Sequence, residues 1–168
     1  MRHVTRMATA AAVLGLVGLV GTAVHAGSAA TSLATSASIS NNCTISTAAL
    51  AFGAYDPVVA NASSNLDGTG TVTIACTKGA TTTIALDLGG NASGSTRRLT
   101  DGSSNYLSYQ IYQDSGRTTV WGTGTDVQTP AAAPSKAARN FTAYGRVTSN
   151  QDVPAGSYAD TVTATVNF

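Results

Sequence analysis

Apolar and polar side chains alternate with a period of two through much of this chain, a pattern that predicts β-strands. Tyr158, Val162, Ala164, Val166 and Phe168 share one face of a run that reaches the last residue. Further alternating runs occupy residues 69–76, 82–88, 106–112 and 141–147, with a short one at 119–121. After residue 26, helical spacing is limited to residues 130–138, where an internal proline favours a loop. We therefore predict an all-β fold.

Turn-forming residues separate these runs. Gly, Asn, Asp, Ser and Pro concentrate at residues 65–68, 89–91, 101–102, 114–116, 122–124 and 154–156. Strands divided by turns at intervals of roughly ten to fifteen residues are typical of a β-sandwich. A strand at the edge of such a sandwich presents unpaired main-chain groups, so we expect something to cover the strand that ends the chain.

A second alternating segment lies near the other end of the chain and is uncharged. Its inward phase consists of Thr31, Leu33, Thr35, Ala37 and Ile39, with mostly Ser on the other phase. A flexible Ser/Ala linker has no need of two large apolar residues at this spacing. The segment is therefore either the first strand of the same domain or a strand that is donated to another molecule.

Residues 1–26 have the features of a secretory signal peptide. Arg2, His3 and Arg6 form a basic start, an apolar stretch follows, and residues 24–26 match the small-x-small cleavage pattern. We place the cut before Gly27, which leaves 142 residues, the size of one domain. An uncleaved anchor is the alternative, because the apolar stretch is close to the shortest length that spans a bilayer.

The composition of the mature chain argues against nucleic acid, anionic lipid and catalysis. Seven basic residues face eight acidic ones, a net charge of −1. All eight acidic residues are Asp, and the mature chain has neither Glu nor His. Most hydrolytic mechanisms need a His or a pair of carboxylates, and metal sites commonly use His. We therefore expect no enzyme activity, no metal site and no small-molecule cofactor.

Cys43 and Cys76 are the two cysteines of the chain. An exported domain with an even number of cysteines most simply forms a disulfide, and two free thiols are the alternative. The chain-entropy model gives a disulfide that closes this loop roughly 3.7 kcal/mol of stabilisation.

Aromatic and basic side chains are the remaining candidates for a binding surface. A carbohydrate-stacking platform and a place in the core are both open to the aromatic residues, and the core is the commoner role. They are Tyr106, Tyr109, Tyr112, Trp121, Tyr144 and Tyr158. The adjacent pair Arg97 and Arg98 is expected at a solvated strand end or turn.

Several blocks of sequence, taken together and in order, resemble the spore coat protein U family, which includes the Csu-type pilins of the archaic chaperone–usher pathway. The blocks are SISNNCTIS at 38–46, LAFGAYDP at 50–57, VTIAC at 72–76, YQIYQD at 109–114, YGR at 144–146, DVPAGSYADTV at 152–162 and VNF at 166–168. They cover nearly all of the mature chain. The most specific part is the combination of both cysteines, Phe52-Gly53 and the C-terminal block.

The resemblance implies an immunoglobulin-like β-sandwich that lacks its last strand. It divides the chain into a signal peptide at 1–26, a donor-strand extension at 27–42 and a pilin domain at 43–168. Thr31, Leu33, Thr35, Ala37 and Ile39 would be the donor face. Another copy of the protein would receive this strand in a groove beside Tyr158, Val162, Ala164, Val166 and Phe168.

The function that the resemblance implies is that of a structural shaft subunit in an extracellular pilus. Export through the periplasm to the cell surface would involve a periplasmic chaperone and an outer-membrane usher, and the polymer would consist of copies of this chain. The alternative is a secreted surface or coat protein, or a carbohydrate-binding module, whose N-terminal segment completes its own sheet.

Overall fold

The structure, a computed structural model, describes Gly21 and residues 24–168. The signal peptide expected at residues 1–26 therefore lies outside the described residues, apart from Gly21 and residues 24–26. The chain divides into two units between Ala37 and Ser38. Residues 24–37 are exposed and have no regular secondary structure. Within the described part of the chain, no helix is long and apolar enough to cross a membrane.

Residues 38–168 form two antiparallel sheets, so the predicted all-β fold is confirmed. The described strands are β1 Cys43–Ala51, β2 Leu66–Cys76, β3 Thr83–Leu86, β4 Arg97–Thr100, β5 Tyr106–Tyr112, β6 Arg139–Val147 and β7 Ala164–Asn167. A five-stranded sheet has the order β1-β2-β6-β5-β4, and β3 pairs with β7. A single 3-10 turn covers Gly124–Asp126, and residues 119–121, predicted as a short strand, contribute one isolated bridge through Val120.

The hydrophobic core lies between the two sheets and is built from alternate residues of β2, β3, β5 and β6 and from three loop residues, Ala80, Trp121 and Ala133. Its buried members are Val72, Ile74, Cys76, Ala80, Ile84, Leu86, Leu107, Tyr109, Ile111, Trp121, Ala133, Ala143 and Val147. The Trp121 side chain is fully buried, and its indole N–H donates to the Ile84 carbonyl at 2.8 Å. Trp121 and Tyr109 therefore belong to the core and not to a surface platform for carbohydrate.

The disulfide between Cys43 and Cys76 is present. The two residues lie directly opposite each other in the register of β1 and β2, with 4.1 Å between their Cα atoms. This bond ties the start of the edge strand β1 to the end of its neighbour β2. It therefore limits how far β1 can move from β2 when a neighbouring strand is added or removed.

The expectation that Arg97 is solvated is wrong. Its side chain is fully buried, and its guanidinium donates to the carbonyls of Leu86 at 3.0 Å and Trp121 at 2.9 Å. Further hydrogen bonds reach the Asp87 carbonyl, at 2.6 and 2.9 Å, and the Gln110 side chain. Burial lowers the pKa of Arg97. The side chain leaves β4 and bonds main-chain carbonyls at the end of β3, so it joins the two sheets.

Candidate functional site

A groove runs between β1 and the C-terminal segment, defined here as residues 158–168. Its first cavity has a volume of about 280 Å³, with Leu50 and Phe52 on one wall and Val162 and Ala164 on the other. Core side chains from five strands form the floor: Val72, Leu86, Leu99, Tyr109, Ile111 and Ala143. The groove therefore opens directly onto the hydrophobic core.

A second cavity of about 730 Å³ continues the groove. It is lined by residues 50–55 and Pro57 on the β1 side and by residues 153–160 on the other. Leu50, Phe52, Leu99 and Asp160 line both cavities, so the two are adjacent. Together they follow the C-terminal side of the groove from residue 153 to residue 164.

One wall of the groove has an unpaired main-chain edge in the C-terminal segment. Ala159 exchanges two hydrogen bonds of 2.9 Å with Thr100 of β4, and Thr163 accepts one of 3.0 Å from the Asp87 amide beside β3. Main-chain groups alternate in direction along a strand, so those of Asp160 and Val162 point away from β3 and β4. Among the described residues, their amides have no hydrogen-bond acceptor.

The opposite wall has the same property. Asn42 accepts a hydrogen bond of 2.9 Å from the Thr77 amide, which places it in a hydrogen-bonded pair with β2. By alternation, the main-chain groups of Cys43, Ile45 and Thr47 point away from β2, and β1 is the outermost strand of its sheet. Two unpaired strand edges therefore border an apolar groove.

The walls of the groove lie close together where β1 faces β7. Cα atoms of β1 and β7 approach within 8 Å. A strand inserted between two others needs about 9.6 Å between its neighbours, twice the usual strand spacing. Insertion of a strand must therefore part β1 from β7 by about 2 Å or more at that point.

Glycines in β2 and β6 make room for the part of β1 that borders the groove. A Cβ at Gly145 would lie 2.7 Å from Leu50 Cδ2 and from Phe52 Cε1, and one at Gly70 would lie 2.8 Å from Leu50 Cβ. The register of β1 shifts between Ala48 and Ala51. This bulge and the glycines let Leu50 and Phe52 enter the groove.

Asp160 is a residue of the groove that the sequence analysis missed. One carboxylate oxygen accepts the Tyr109 hydroxyl at 2.8 Å, and the other accepts the Gly90 amide at 2.9 Å and the Asn91 side chain at 3.0 Å. Burial and the bond to Asp160 raise the pKa of Tyr109, which keeps that hydroxyl a donor. The signal was available, because residue 160 is in phase with 158 and 162.

Gly89→Ala is expected to lower the free energy of unfolding by about 1–3 kcal/mol. Gly89 has a φ of +78°, and an added Cβ would lie 2.0 Å from Asp160 Oδ2. The matched control is Gly90→Ala, whose Cβ would lie 3.7 Å from the same carboxylate. Denaturant titration measures both, and equal losses would contradict the role assigned to the contact between Gly89 and Asp160.

The residues predicted from sequence fall into three groups. Val162 and Ala164 line the first cavity and Tyr158 the second. Val166 pairs with Ile84 of β3, and Phe168 is 55% exposed and lines neither cavity. Every residue of the predicted donor face is exposed: Thr31, Leu33, Thr35, Ala37 and Ile39.

The profile of the Spore Coat Protein U domain matches residues 29–165. The chain belongs to the Spore Coat Protein U domain family. Protein U of Myxococcus xanthus is 36% identical over 157 residues, which cover 86% of this chain and 87% of that protein. This family member therefore shares nearly its whole length with a curated relative.

The fold of this Spore Coat Protein U domain is also similar to a solved pilus structure. The structure is the CsuC–CsuE chaperone–tip adhesion subunit pre-assembly complex from the archaic chaperone–usher Csu pili of Acinetobacter baumannii. The TM-score is 0.58 at 20% identity, and the match covers 77% of this chain and 40% of the length of the other. The similarity confirms the predicted all-β fold and its likeness to a Csu pilin subunit.

The family domain has no evident metal centre in the part that the structure describes. No three His, Cys, Asp or Glu side chains come together there as potential ligands. The polar groups of the groove are Asp160, Tyr109, two unpaired main-chain edges and the hydroxyl groups of the Ser, Thr and Tyr residues that line the cavities: Thr47, Tyr55, Thr71, Ser157, Tyr158 and Thr161. In strand addition generally, the main chain of an exposed strand edge supplies hydrogen bonds to an extended peptide, and pockets receive its alternate side chains.

Proposed function

We propose that this protein is a structural subunit of an extracellular bacterial pilus. The N-terminal segment, residues 27–42, inserts into the groove of a neighbouring copy, and repetition gives a head-to-tail polymer. The observation that carries the proposal is the pair of unpaired strand edges on either side of an apolar groove. No strand of residues 38–168 lies between these two edges.

The N-terminal segment has the properties of a suitable occupant. Leu33 and Ile39 are each 87% exposed, an unfavourable state for large apolar side chains. Full burial of each would contribute about 1.5–3 kcal/mol. Main-chain hydrogen bonds to both walls would add to this and would remove two edges that otherwise favour aggregation.

Assembly partners follow from the same groove. The solved neighbour is a complex of a chaperone with a subunit. We propose that a periplasmic chaperone occupies the groove of this protein until an outer-membrane usher exchanges it for the next copy. The protein would then act at the cell surface as a structural component and not as an enzyme.

Cryo-electron microscopy of purified surface fibres tests the proposal directly. We expect density for residues 31–39 to lie in the groove of the adjacent subunit, between its β1 and its residues 160–166. Density that returns to the groove of its own subunit would instead support a self-contained coat protein. Monomeric protein with an empty groove and no fibres would contradict both.

A further inference from the structure

Asp160 is the one charged residue among those that line the two cavities in the described part of the chain. Its carboxylate has about four acceptor positions. Three are filled by Tyr109, Gly90 and Asn91. A strand laid over the groove would exclude water from the remaining position, and an unpaired carboxylate position is costly when it is buried.

The N-terminal segment offers hydroxyl groups at two inward positions, Thr31 and Thr35. Of these, Thr35 alone has a large apolar residue on each side in the same phase, Leu33 and Ile39. The groove has the same order of apolar, polar and apolar positions, because the first cavity lies on one side of Asp160 and the second cavity on the other. This correspondence holds whichever direction the inserted strand runs.

We propose that the Thr35 hydroxyl of one copy donates a hydrogen bond to the Asp160 carboxylate of the copy that receives the strand. This inference rests on the proposed function and adds the register in which the inserted strand aligns with the groove. Leu33 then fills the cavity on one side of Asp160 and Ile39 the cavity on the other. A slip of two residues would place Leu33 or Ala37 against the carboxylate, and a slip of one would turn the apolar face outward. Thr35 and Asp160 thus select one register.

Thr35→Val separates this inference from ordinary hydrophobic reasoning. Valine has nearly the same shape, a higher strand propensity and no hydroxyl, so burial alone predicts a tighter strand. We expect the opposite: Thr35→Val fibres should dissociate at least tenfold faster than wild type, equivalent to 1.4 kcal/mol. Thr35 is exposed and lies in no strand, so the substitution leaves the folded core unchanged.

Two matched variants complete the experiment. Thr35→Ser keeps the hydroxyl, and Thr31→Val removes the other one, so both should dissociate within about threefold of wild type. The measurement is the rate at which fibres of the full mature chain release monomer in a fixed concentration of guanidinium. Equal rates for Thr35→Val and wild type, or sensitivity at Thr31 alone, would overturn the inference.

A double-mutant cycle with Asp160→Ala, which removes every acceptor of the side chain, identifies the partner of Thr35. If Thr35 bonds Asp160, Thr35→Val should have a much smaller effect in the Asp160→Ala background. An undiminished effect there would overturn the assignment. Fibres formed by a chain that lacks residues 27–40 would contradict the proposed function itself, which keeps the two failures distinct.

Discussion

A variant that lacks residues 27–40 is expected to fold and to accept a strand but to form no fibres. The core, the disulfide and the Arg97 bonds all lie within residues 43–168, so the deletion removes the donor and leaves the groove. Electron microscopy measures fibre formation. Binding of a synthetic peptide with the sequence of residues 27–42 measures whether the groove still accepts a strand.

Full-length variants provide the control for this deletion. Leu33→Asp with Ile39→Asp places two charges on the face proposed to enter the groove, whereas Ser32→Asp with Ser38→Asp places two on the other face. We expect the first pair to abolish fibres and the second to retain them, because burying an unpaired charge costs far more than exposing one. A deletion variant that unfolds would instead show that the segment belongs to its own domain.

Arg97→Ala is expected to lower the free energy of unfolding by on the order of 3–5 kcal/mol. The substitution leaves the carbonyls of Leu86, Asp87 and Trp121 without their buried donor and opens a cavity between the sheets. Because β3 pairs with β7, the loss of the Arg97 hydrogen bonds should also loosen one wall of the groove. The fall in the denaturation midpoint measures the effect.

Arg98→Ala is the control for that prediction. Arg98 lies next in β4, and its guanidinium stacks over Tyr106, 4.0 Å from the ring centroid. Tyr106 is 38% exposed, so the interaction is worth about 0.5–1 kcal/mol. Similar losses for the two variants would show that the buried hydrogen bonds of Arg97 contribute little to holding the sheets together.

Strand prediction succeeded where a strand has one buried and one polar face. The run at residues 106–112 coincides with β5, and those at 69–76 and 141–147 lie within β2 and β6. β1 was not predicted as a strand because it is an edge with a bulge, and residues 46–49 are all exposed. β4 begins with two arginines, a composition typical of a turn, and its strand conformation depends on pairing with β5.

The sequence by itself determined the all-β class, the turns, the alternating N-terminal segment and the phase of the C-terminal segment. These are local properties, because the direction of a side chain along a strand depends only on its position. Only the tertiary structure decided that Arg97 is buried and that Asp160 faces an apolar groove. Arg97 and Asp160 are both charged, and a charged side chain gives no sign in the sequence that it will be buried or face a groove. Their environments depend on which distant strands pair and on which edges stay unpaired, and those contacts form between residues far apart in the chain.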